Sequence, residues 1–320
     1  MAVRTVGVDL GGTKCLAVAY EDGRVVDERR VATPVGEVAL LDTIAGVAAE
    51  VEGPAGVAGV GVGVPGLVDR QGVLRFAPNL PGVADFPIGP ELSTRLGVPV
   101  RVDNDATCAT WGERQAGAAR GYDDVLLVAL GTGIGGGIVA DGMLVRGANG
   151  FSGEVGHMIV DPDGPPCPCG KRGCWERFAS GSGLARLGRE AAEAGKGART
   201  VELAGGAFTD VRGQHVGVAA REGDRQALAV LDDFGWWVAL GLSNLASIFD
   251  PQAIVLGGGL VEMGELLLGP VRKAFPDLLT GGAHRPPVDI LPAALGEHAG
   301  AIGAAALFDL PREIARSRPL

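Results

Sequence analysis

Apolar and polar positions along this chain follow two periods, one typical of strands and one typical of helices. Short apolar runs rich in valine at Val3–Leu10, Val57–Val64 and Val125–Leu130 predict buried strands. Val38–Val51 places Ala, Leu, Ile and Val at helical spacing, and Arg225–Phe249 is apolar all round, which predicts a buried helix. Because predicted strands alternate with predicted helices, the fold class is α/β with a mainly parallel sheet.

One arrangement of elements occurs twice in the chain. A strand that ends in a Gly-Thr turn and continues into a second strand is predicted around residues 9–14 and again around 131–137. This repetition predicts an N-terminal domain over residues 1–119 and a C-terminal domain over residues 120–297. The remaining residues, 298–320, are predicted to begin with a closing helix that packs back on the N-terminal domain.

Composition and charge exclude several classes of function. The 320 residues carry a formal net charge of −10, which disfavours a broad nucleic-acid surface because such a surface needs clustered Lys and Arg. The N-terminus lacks the pattern of a signal peptide, and the uncharged runs are too short and too interrupted to span a membrane. Five cysteines, an odd number without an export signal, predict a reducing, cytoplasmic location.

Both glycine turns are candidates for binding phosphate. Glycines in Asp9-Leu10-Gly11-Gly12-Thr13-Lys14 let a ligand approach the backbone, and Asp9 could hold magnesium through water. The alternative, that this segment is a plain β-hairpin turn without a ligand, is not excluded. The second turn matches the dinucleotide pattern G-x-G-x-x-G at Gly131, Gly133 and Gly136. That pattern requires a helix next, whereas a strand is predicted here, so we reject nicotinamide binding. Two Gly-Thr hairpins instead suit a phosphate chain held between two domains.

Three cysteines and one histidine are concentrated in a short segment rich in Pro and Gly. His157, Cys167, Cys169 and Cys174 have the spacing H-x9-C-x-C-x4-C, and one imidazole with three thiolates forms a closed tetrahedral zinc set. A disulfide is the alternative, but it would leave a third thiol without a role. Scattered core cysteines are a second alternative, which the Pro and Gly content disfavours. The spacing therefore predicts a structural zinc site, and we interpret the other two cysteines as buried small hydrophobes, Cys15 and Cys108.

Carboxylates follow the predicted strand Val100–Asn104, in the run Val-Asp-Asn-Asp-Ala. Catalytic groups of α/β proteins lie at such carboxyl ends of strands. Asp105 opens the predicted helix Asp105–Gly117 and is expected to be its N-cap, which is the commoner use of such a residue. The functional alternative makes Asp105 a general base that accepts a proton from a substrate hydroxyl.

Taken in order, these motifs resemble the ROK group of sugar kinases and sugar-responsive repressors, within the actin-like ATPase superfamily. The matching segments are DLGGTK at 9–14, GVGVPGLVD at 61–69, APN at 77–79, VDNDA at 102–106, LGTGIGGG at 130–137, GEVGH at 153–157, CPCGKRGCWE at 167–176 and LGGGL at 256–260. The resemblance implies a two-domain actin-like (ribonuclease H-like) α/β fold with the ligand cleft between the domains. In it, residues 1–119 form the sugar and phosphate domain, and residues 120–297 contain the zinc loop and the nucleotide site. It also implies ATP and Mg²⁺ as cofactors beside structural Zn²⁺.

The resemblance assigns roles residue by residue. It implies that Asp105 is the catalytic base, and that the sugar is bound by Asn79, Asn104, Asp105, Glu154, His157 and Glu176. The phosphates are assigned to Asp9, Gly11, Gly12, Thr13, Lys14, Gly131, Thr132, Gly133, Gly135 and Gly136, and the adenosine side to Gly257, Gly258 and Gly259. In this family the histidine of GEVGH has two roles, with one ring nitrogen on zinc and the other facing the sugar.

The cysteine-rich loop looks most like the glucokinase branch, which implies phosphorylation of D-glucose to glucose 6-phosphate. Kinases for N-acetylmannosamine, N-acetylglucosamine and fructose share nearly all of these motifs and stay open as alternatives. A sugar-sensing regulator is the alternative from another class, but DLGGTK starts at residue 9, which leaves no room for a DNA-binding segment ahead of it. Polyphosphate stays open as an alternative phosphoryl donor, but polyphosphate users in this family tend to lack the cysteine cluster, which favours ATP. The family also suggests a homo-oligomer, either a dimer or a tetramer.

Overall fold

The computed structural model describes residues 4–53, 56–77, 80 and 82–310. The strands in these ranges are β1 Thr5–Leu10, β2 Lys14–Glu21, β3 Arg24–Ala32, β4 Val60–Val64, β5 Leu67–Val68, β6 Leu74–Phe76, β7 Ala84–Phe86, β8 Val100–Asn104, β9 Val125–Leu130, β10 Ile134–Ala140, β11 Met143–Leu144, β12 Ala253–Gly257 and β13 Asp289–Pro292. The α-helices are α1 Glu37–Glu52, α2 Ile88–Leu96, α3 Asp105–Ala116, α4 Glu176–Ala179, α5 Gly181–Glu193, α6 Ala198–Leu203, α7 Gly213–Arg221, α8 Arg225–Phe249, α9 Glu265–Leu278 and α10 Ala299–Ala306.

The two five-stranded sheets have the same strand order. The first is ordered β3-β2-β1-β4-β8 and the second β11-β10-β9-β12-β13. In the first sheet β1, β2 and β3 are antiparallel neighbours, whereas β4 runs parallel to β1 and to β8. In the second sheet β12 runs parallel to β9 and β13, and β11 is antiparallel to β10. The predicted repetition is therefore confirmed, but both sheets are mixed, because tight turns make the first strands of each half antiparallel neighbours.

The chain divides into two compact units. One contains residues 1–121, 137–152 and 297–320, and the other contains residues 122–136 and 153–296. A small sheet of order β5-β6-β7 belongs to the first unit. The assignment of a sugar and phosphate domain and a nucleotide domain to these parts of the chain stays a prediction.

Helix α10 packs on the first sheet with its backbone almost in contact with the strands. A Cβ atom added at Gly7 of β1 would lie 1.8 Å from Ala301 O, and one added at Gly61 of β4 would lie 1.8 Å from Ala304 O. Helix α3 also packs against α10, and a Cβ added at Gly112 of α3 would lie 2.3 Å from Ala299 O of α10. Only glycine fits at such distances, so these positions set how closely β1, β4 and α3 approach α10.

Two sequence predictions about elements were wrong. Strand β10 begins at Ile134, so most of the glycine run from 131 to 137 is strand and the turn itself is shorter than predicted. Helix α8 is not buried all round, because Trp236 is 42% exposed and Asp232 and Asp233 are also exposed. No helix in the described ranges is long and apolar enough to cross a membrane.

Candidate active site and metal centre

Asp9 is the penultimate residue of β1 in the first unit, beside the N-terminal turn of α10. A Cβ at Gly300 would lie 2.7 Å from Asp9 Cγ, so the glycine leaves room for the carboxyl group. Burial and the negative charge of Asp105 raise the pKa of Asp9 to about 7, while the charge of Lys14 acts in the opposite direction. A desolvated carboxylate beside a second one favours a cation, so Asp9 is chemically suited to the predicted magnesium.

The first glycine turn is held by the residue that follows β3. Gly11 N–H donates to Lys14 O at 2.9 Å and closes the turn. Thr33 Oγ1 donates to Gly11 O at 2.7 Å, and Thr33 N–H donates to Thr13 O at 3.1 Å. Gly12 and Thr13 are exposed, and no atom lies within 4 Å of a Cβ placed at Gly12. The carbonyls of Gly11 and Thr13 therefore accept hydrogen bonds from Thr33, while the tip of the turn is accessible to a ligand.

Lys14 is tied to the segment that precedes α10. Its ammonium group lies 2.6 Å from Glu297 Oε2, and Arg30 pairs with the other carboxylate oxygen of Glu297. These two hydrogen-bonded cations hold the pKa of Glu297 at about 2, well below its usual range. Both partners are about half exposed, so a phosphate ligand could compete with Glu297 for Lys14 at little cost in stability.

Asn104 and Asp105 lie at the junction of β8 and α3. Asn104, not Asp105, is the N-cap, because its Oδ1 accepts from Thr107 N–H at 3.0 Å. The Asn104 amide also donates to Gly66 O at 3.1 Å, and its side chain hydrogen-bonds the Asp105 carboxylate, so the amide is fixed beside the candidate base. Asp105 is thereby released from capping and occupies the first helical position. The predicted cap was wrong because Asn fills that position equally well.

Two opposing effects set the basicity of Asp105. Burial raises its pKa, whereas hydrogen bonds to its carboxylate, including one of 2.8 Å from Ala106 N–H, lower it. The net result is a raised pKa, which makes the ionised form a stronger base than an exposed aspartate.

A buried ion pair lies behind this junction. Asp103 is 1% exposed, and its Oδ2 lies 2.6 Å from Arg146 Nε. Its other oxygen accepts from Asn104 N–H at 2.9 Å, which fixes the peptide that leads into Asp105. Sequence reasoning named Asp103 only as part of a motif and did not identify Arg146, which is distant in the chain.

The second unit contains the other glycine turn. Gly131 N–H donates to Gly133 O at 3.0 Å, Thr132 at the tip is exposed, and Gly135 and Gly136 belong to β10. A strand follows this turn rather than a helix, which confirms the rejection of a dinucleotide-binding motif.

The loop after β12 approaches the same turn. Gly258 has φ +81°, and a Cβ there would lie 2.5 Å from Leu130 O at the end of β9. Gly257 is the last residue of β12, whereas no atom lies within 4 Å of a Cβ placed at Gly259. The structure therefore brings the predicted adenosine-side glycines next to the second glycine turn.

The GEVGH segment packs closely against β10. A Cβ at Gly136 would lie 2.6 Å from Val155, and a Cβ at Gly156 would lie 2.4 Å from Ile134 O. The segment then turns through a short 3₁₀ helix at Val155–His157. This turn directs Nε2 of its last residue toward Glu154, at 3.8 Å from Oε2.

The four predicted metal ligands do come together. The candidate donor atoms all lie within 4.8 Å of one another, on His157, Cys167, Cys169 and Cys174. His157 Nδ1 lies 3.9 Å from Cys167 Sγ, and Cys169 Sγ lies 3.5 Å from Cys174 Sγ. Tetrahedral zinc with bonds of about 2.3 Å separates its sulfur ligands by roughly 3.8 Å, so this set fits zinc.

Glu176 lies between this cluster and the glycine turn. Its Oε1 accepts from the Cys167 thiol at 3.1 Å and lies 3.9 Å from His157 Nδ1. Its Oε2 would lie 2.7 Å from a Cβ placed at Gly133. Glu176 is therefore close to the candidate metal ligands and to the second glycine turn, which its predicted role as a sugar contact did not suggest.

The remaining predicted residues have clear outcomes. Asn79 lies outside the described residues. Cys15 and Cys108 are fully buried, as expected, and burial raises the pKa of the Cys15 thiol to about 12. Besides Arg146, three supporting residues were missed, and none has a local signal for its role. They are Thr33, Ser182, whose hydroxyl donates to Thr132 O at 2.8 Å, and Glu297, 283 positions from its partner Lys14.

Comparison with known proteins agrees with this geometry. The family model described as "ROK family" matches residues 5–310. The chain is 41% identical over 313 residues to the glucokinase of Streptomyces coelicolor, covering 97% of this chain and 98% of that protein. It is 36% identical to the glucokinase of Thermotoga maritima, covering 96% and 97%.

Solved structures show the same relationship. A ROK family glucokinase from Streptomyces griseus, in complex with glucose and AMPPNP, superimposes with a TM-score of 0.82 at 42% identity, covering 95% of this chain and 98% of that one. This likeness confirms the α/β fold of two-domain actin-like sugar kinases. From the family match and these relatives, the chain belongs to the ROK family.

Proposed function

We propose that this protein is an ATP-dependent kinase of the hexokinase type that converts D-glucose to glucose 6-phosphate. The observation that carries the proposal is the junction of β8 and α3, where Asn104 takes the capping role and frees Asp105. Similarity to glucokinases over nearly the whole chain, one of them solved with glucose and an ATP analogue, supports ATP and glucose as substrates.

Asp105 acts as the general base. Its carboxylate accepts the proton of the attacking sugar hydroxyl while that oxygen forms a bond to the terminal phosphorus of ATP and the bond to ADP breaks. The raised pKa of Asp105 makes it a better proton acceptor once it is ionised. Asp103 and Arg146 hold the preceding peptide in place and so position Asp105 and Asn104.

The two glycine turns and Lys14 hold the phosphates. Backbone N–H groups in such turns bind anionic oxygens, and Lys14 adds a positive charge that Glu297 balances before ATP binds. Asp9 is the residue best suited to hold magnesium, which would neutralise charge on the transferring phosphates when bound.

Sugar hydroxyls are bound by Asn79, Asn104, Glu154, His157 and Glu176. His157 supports this role because Nδ1 faces the cysteines while Nε2 lies on the side of Glu154. Zinc, held by His157 and the three cysteines, would have no open coordination position and would serve to fix the imidazole.

A coupled ADP-release assay tests the proposal. Zinc-loaded protein is supplied with ATP and magnesium and compared on glucose, fructose, mannose, N-acetylglucosamine and N-acetylmannosamine. We expect the highest kcat/KM with glucose. A preference for another of these sugars would contradict glucose as the substrate, and no turnover with any of them would contradict the kinase assignment and favour a sugar-sensing regulator.

Three further properties are proposed and have separate tests. Elemental analysis should find about one zinc per chain, lost when cysteine ligands are replaced. Light scattering should find a dimer or tetramer. Replacing ATP with polyphosphate in the same assay should give little turnover.

A further inference from the structure

The second glycine turn is held from outside its own sheet. Gly181 N–H donates to Gly131 O at 2.8 Å, and Ser182 Oγ donates to Thr132 O at 2.8 Å. Both donors belong to the first turn of α5, whose N-cap is Ser180. Because these carbonyls are engaged, the peptide groups of the turn cannot rotate freely, and the directions of their N–H groups are set by α5.

A third contact on this turn comes from Glu176. One carboxylate oxygen occupies the space beside Gly133, where a Cβ would lie 2.7 Å away. The other lies 3.1 Å from Sγ of Cys167, one of the candidate metal ligands. A single side chain thus touches both the metal ligands and the phosphate turn.

These contacts belong to one continuous segment, residues 174–182, which we call the coupling segment. It begins at the metal ligand Cys174 and ends at Ser182. Between them Trp175 is completely buried, and its indole N–H donates to Trp237 O at 2.8 Å. Trp175 N–H also donates to Met158 O at 2.7 Å, next to the ligand His157. The segment is short and anchored, so a shift of the metal ligands is passed on to α5 instead of being absorbed.

We propose that the coupling segment makes nucleotide binding depend on the metal centre, with Ser182 as a positioning residue for the phosphate turn. Zinc then supports the binding of ATP as well as that of the sugar. This inference rests on the proposed function, because it assigns the turn at Gly131–Gly133 to the phosphates of ATP.

Nucleotide binding without sugar separates this effect from a role in the sugar site. Calorimetry measures the affinity for AMPPNP with magnesium in zinc-loaded protein, in the same protein after chelation of zinc, and in zinc-loaded Ser182→Ala. The matched control is Ser247→Ala, because Ser247 Oγ also donates to a backbone carbonyl at 2.8 Å, in α8 and away from the turn.

We expect Ser182→Ala to weaken AMPPNP binding about three- to tenfold, since one hydrogen bond is lost, and to raise the KM for ATP equally with kcat unchanged. Chelation should weaken AMPPNP binding about tenfold or more, with circular dichroism showing that the helices persist. Ser247→Ala should match the parent protein, and the KM for glucose should be unchanged in Ser182→Ala.

Affinities within about twofold of the parent for both Ser182→Ala and the chelated protein would overturn the inference. If chelation unfolds the protein, Ser182→Ala, which keeps its zinc, decides whether α5 positions the turn for the nucleotide. Failure of the zinc-loaded parent to bind AMPPNP would instead contradict the proposed function, and the inference with it.

Discussion

The two glycine turns have the same place in two equivalent sheets but are supported by different neighbours. At the first turn, Thr33 at the end of β3 holds the carbonyls of Gly11 and Thr13. At the second, Gly181 and Ser182 of α5 hold the corresponding carbonyls. In each case one N–H and one hydroxyl act as donors. The first turn is thus supported by its own sheet, and the second by a helix that follows the metal ligands.

This difference shows how one strand arrangement can serve two tasks. Around the first turn lie ionisable groups, Asp9, Lys14 and Asp105, whose charges suit a cation, a phosphate and a proton transfer. Around the second lie backbone groups and the cluster of His and Cys, which suit a phosphate chain and a structural metal. The first region should therefore respond to charge and pH, and the second to metal occupancy.

The largest expected effect is on the chemistry of the first region. Asp105→Asn keeps the size of the side chain but removes the proton acceptor, so kcat should fall about 10²- to 10⁴-fold. Zinc content, which belongs to the second region, and AMPPNP affinity, which depends on the two glycine turns, should not change. The coupled ADP-release assay measures kcat, and Asp42→Asn, at an exposed aspartate paired with Arg95, is the control. A kcat near that of the parent would show that Asp105 is not the base.

The next effect concerns packing in the two regions. Gly61→Ala would drive a Cβ into the backbone of α10 and should lower the free energy of unfolding by about 3 kcal/mol, without loss of zinc. Gly241→Ala in α8 instead meets the Trp175 ring at 1.9 Å and should also lower zinc content.

Denaturant unfolding and elemental analysis measure these two effects of packing. The control Gly46→Ala, on the exposed face of α1 with open space around it, should be neutral or slightly stabilising. Equal zinc loss in Gly61→Ala and Gly241→Ala would remove the distinction between the two regions.

A smaller effect follows from the raised pKa of Asp9. Between the ordinary value of 3.8 and about 7, folded Asp9 retains a proton that the unfolded chain has lost. Stability therefore falls as pH rises through this window and stays lowered above it. Asp9→Asn removes that penalty, so its stability relative to the parent should increase by about 2 kcal/mol between about pH 5.5 and about pH 8.

Chemical unfolding of both proteins without magnesium measures the pH dependence at Asp9. Because magnesium would compensate the charge of ionised Asp9, adding it should reduce the difference at the higher pH. A difference that does not vary with pH would contradict a buried, titrating Asp9.

Sequence alone predicted the parts of this site that depend on local spacing. The metal ligands fall within 18 residues, and their spacing and Pro/Gly content were enough to predict a zinc site whose donor atoms the structure brings together. The competition between Asn104 and Asp105 for the cap was not predictable, because both side chains suit that position and only Gly66, distant in sequence, secures Asn104. Ser182 and Glu297 were not predictable either, since their roles arise from the fold.

The smallest effect we expect is at Thr33, and it tests the comparison of the two turns most directly. Thr33→Val keeps the shape of the side chain and the backbone N–H but removes the hydroxyl that holds Gly11 O. One lost hydrogen bond should weaken AMPPNP binding about threefold, the lower end of the range expected for Ser182→Ala. The two variants should nevertheless differ on chelation of zinc. Thr33→Val should lose affinity by the same factor as the parent, because its turn is not connected to the metal ligands. Ser182→Ala should lose less than the parent, because the path through which zinc acts is already weakened.

Calorimetry on all three proteins, with and without zinc, gives these factors. Equal factors for Ser182→Ala and Thr33→Val would mean that zinc acts on both turns alike, and the difference between their supports would then have no functional consequence.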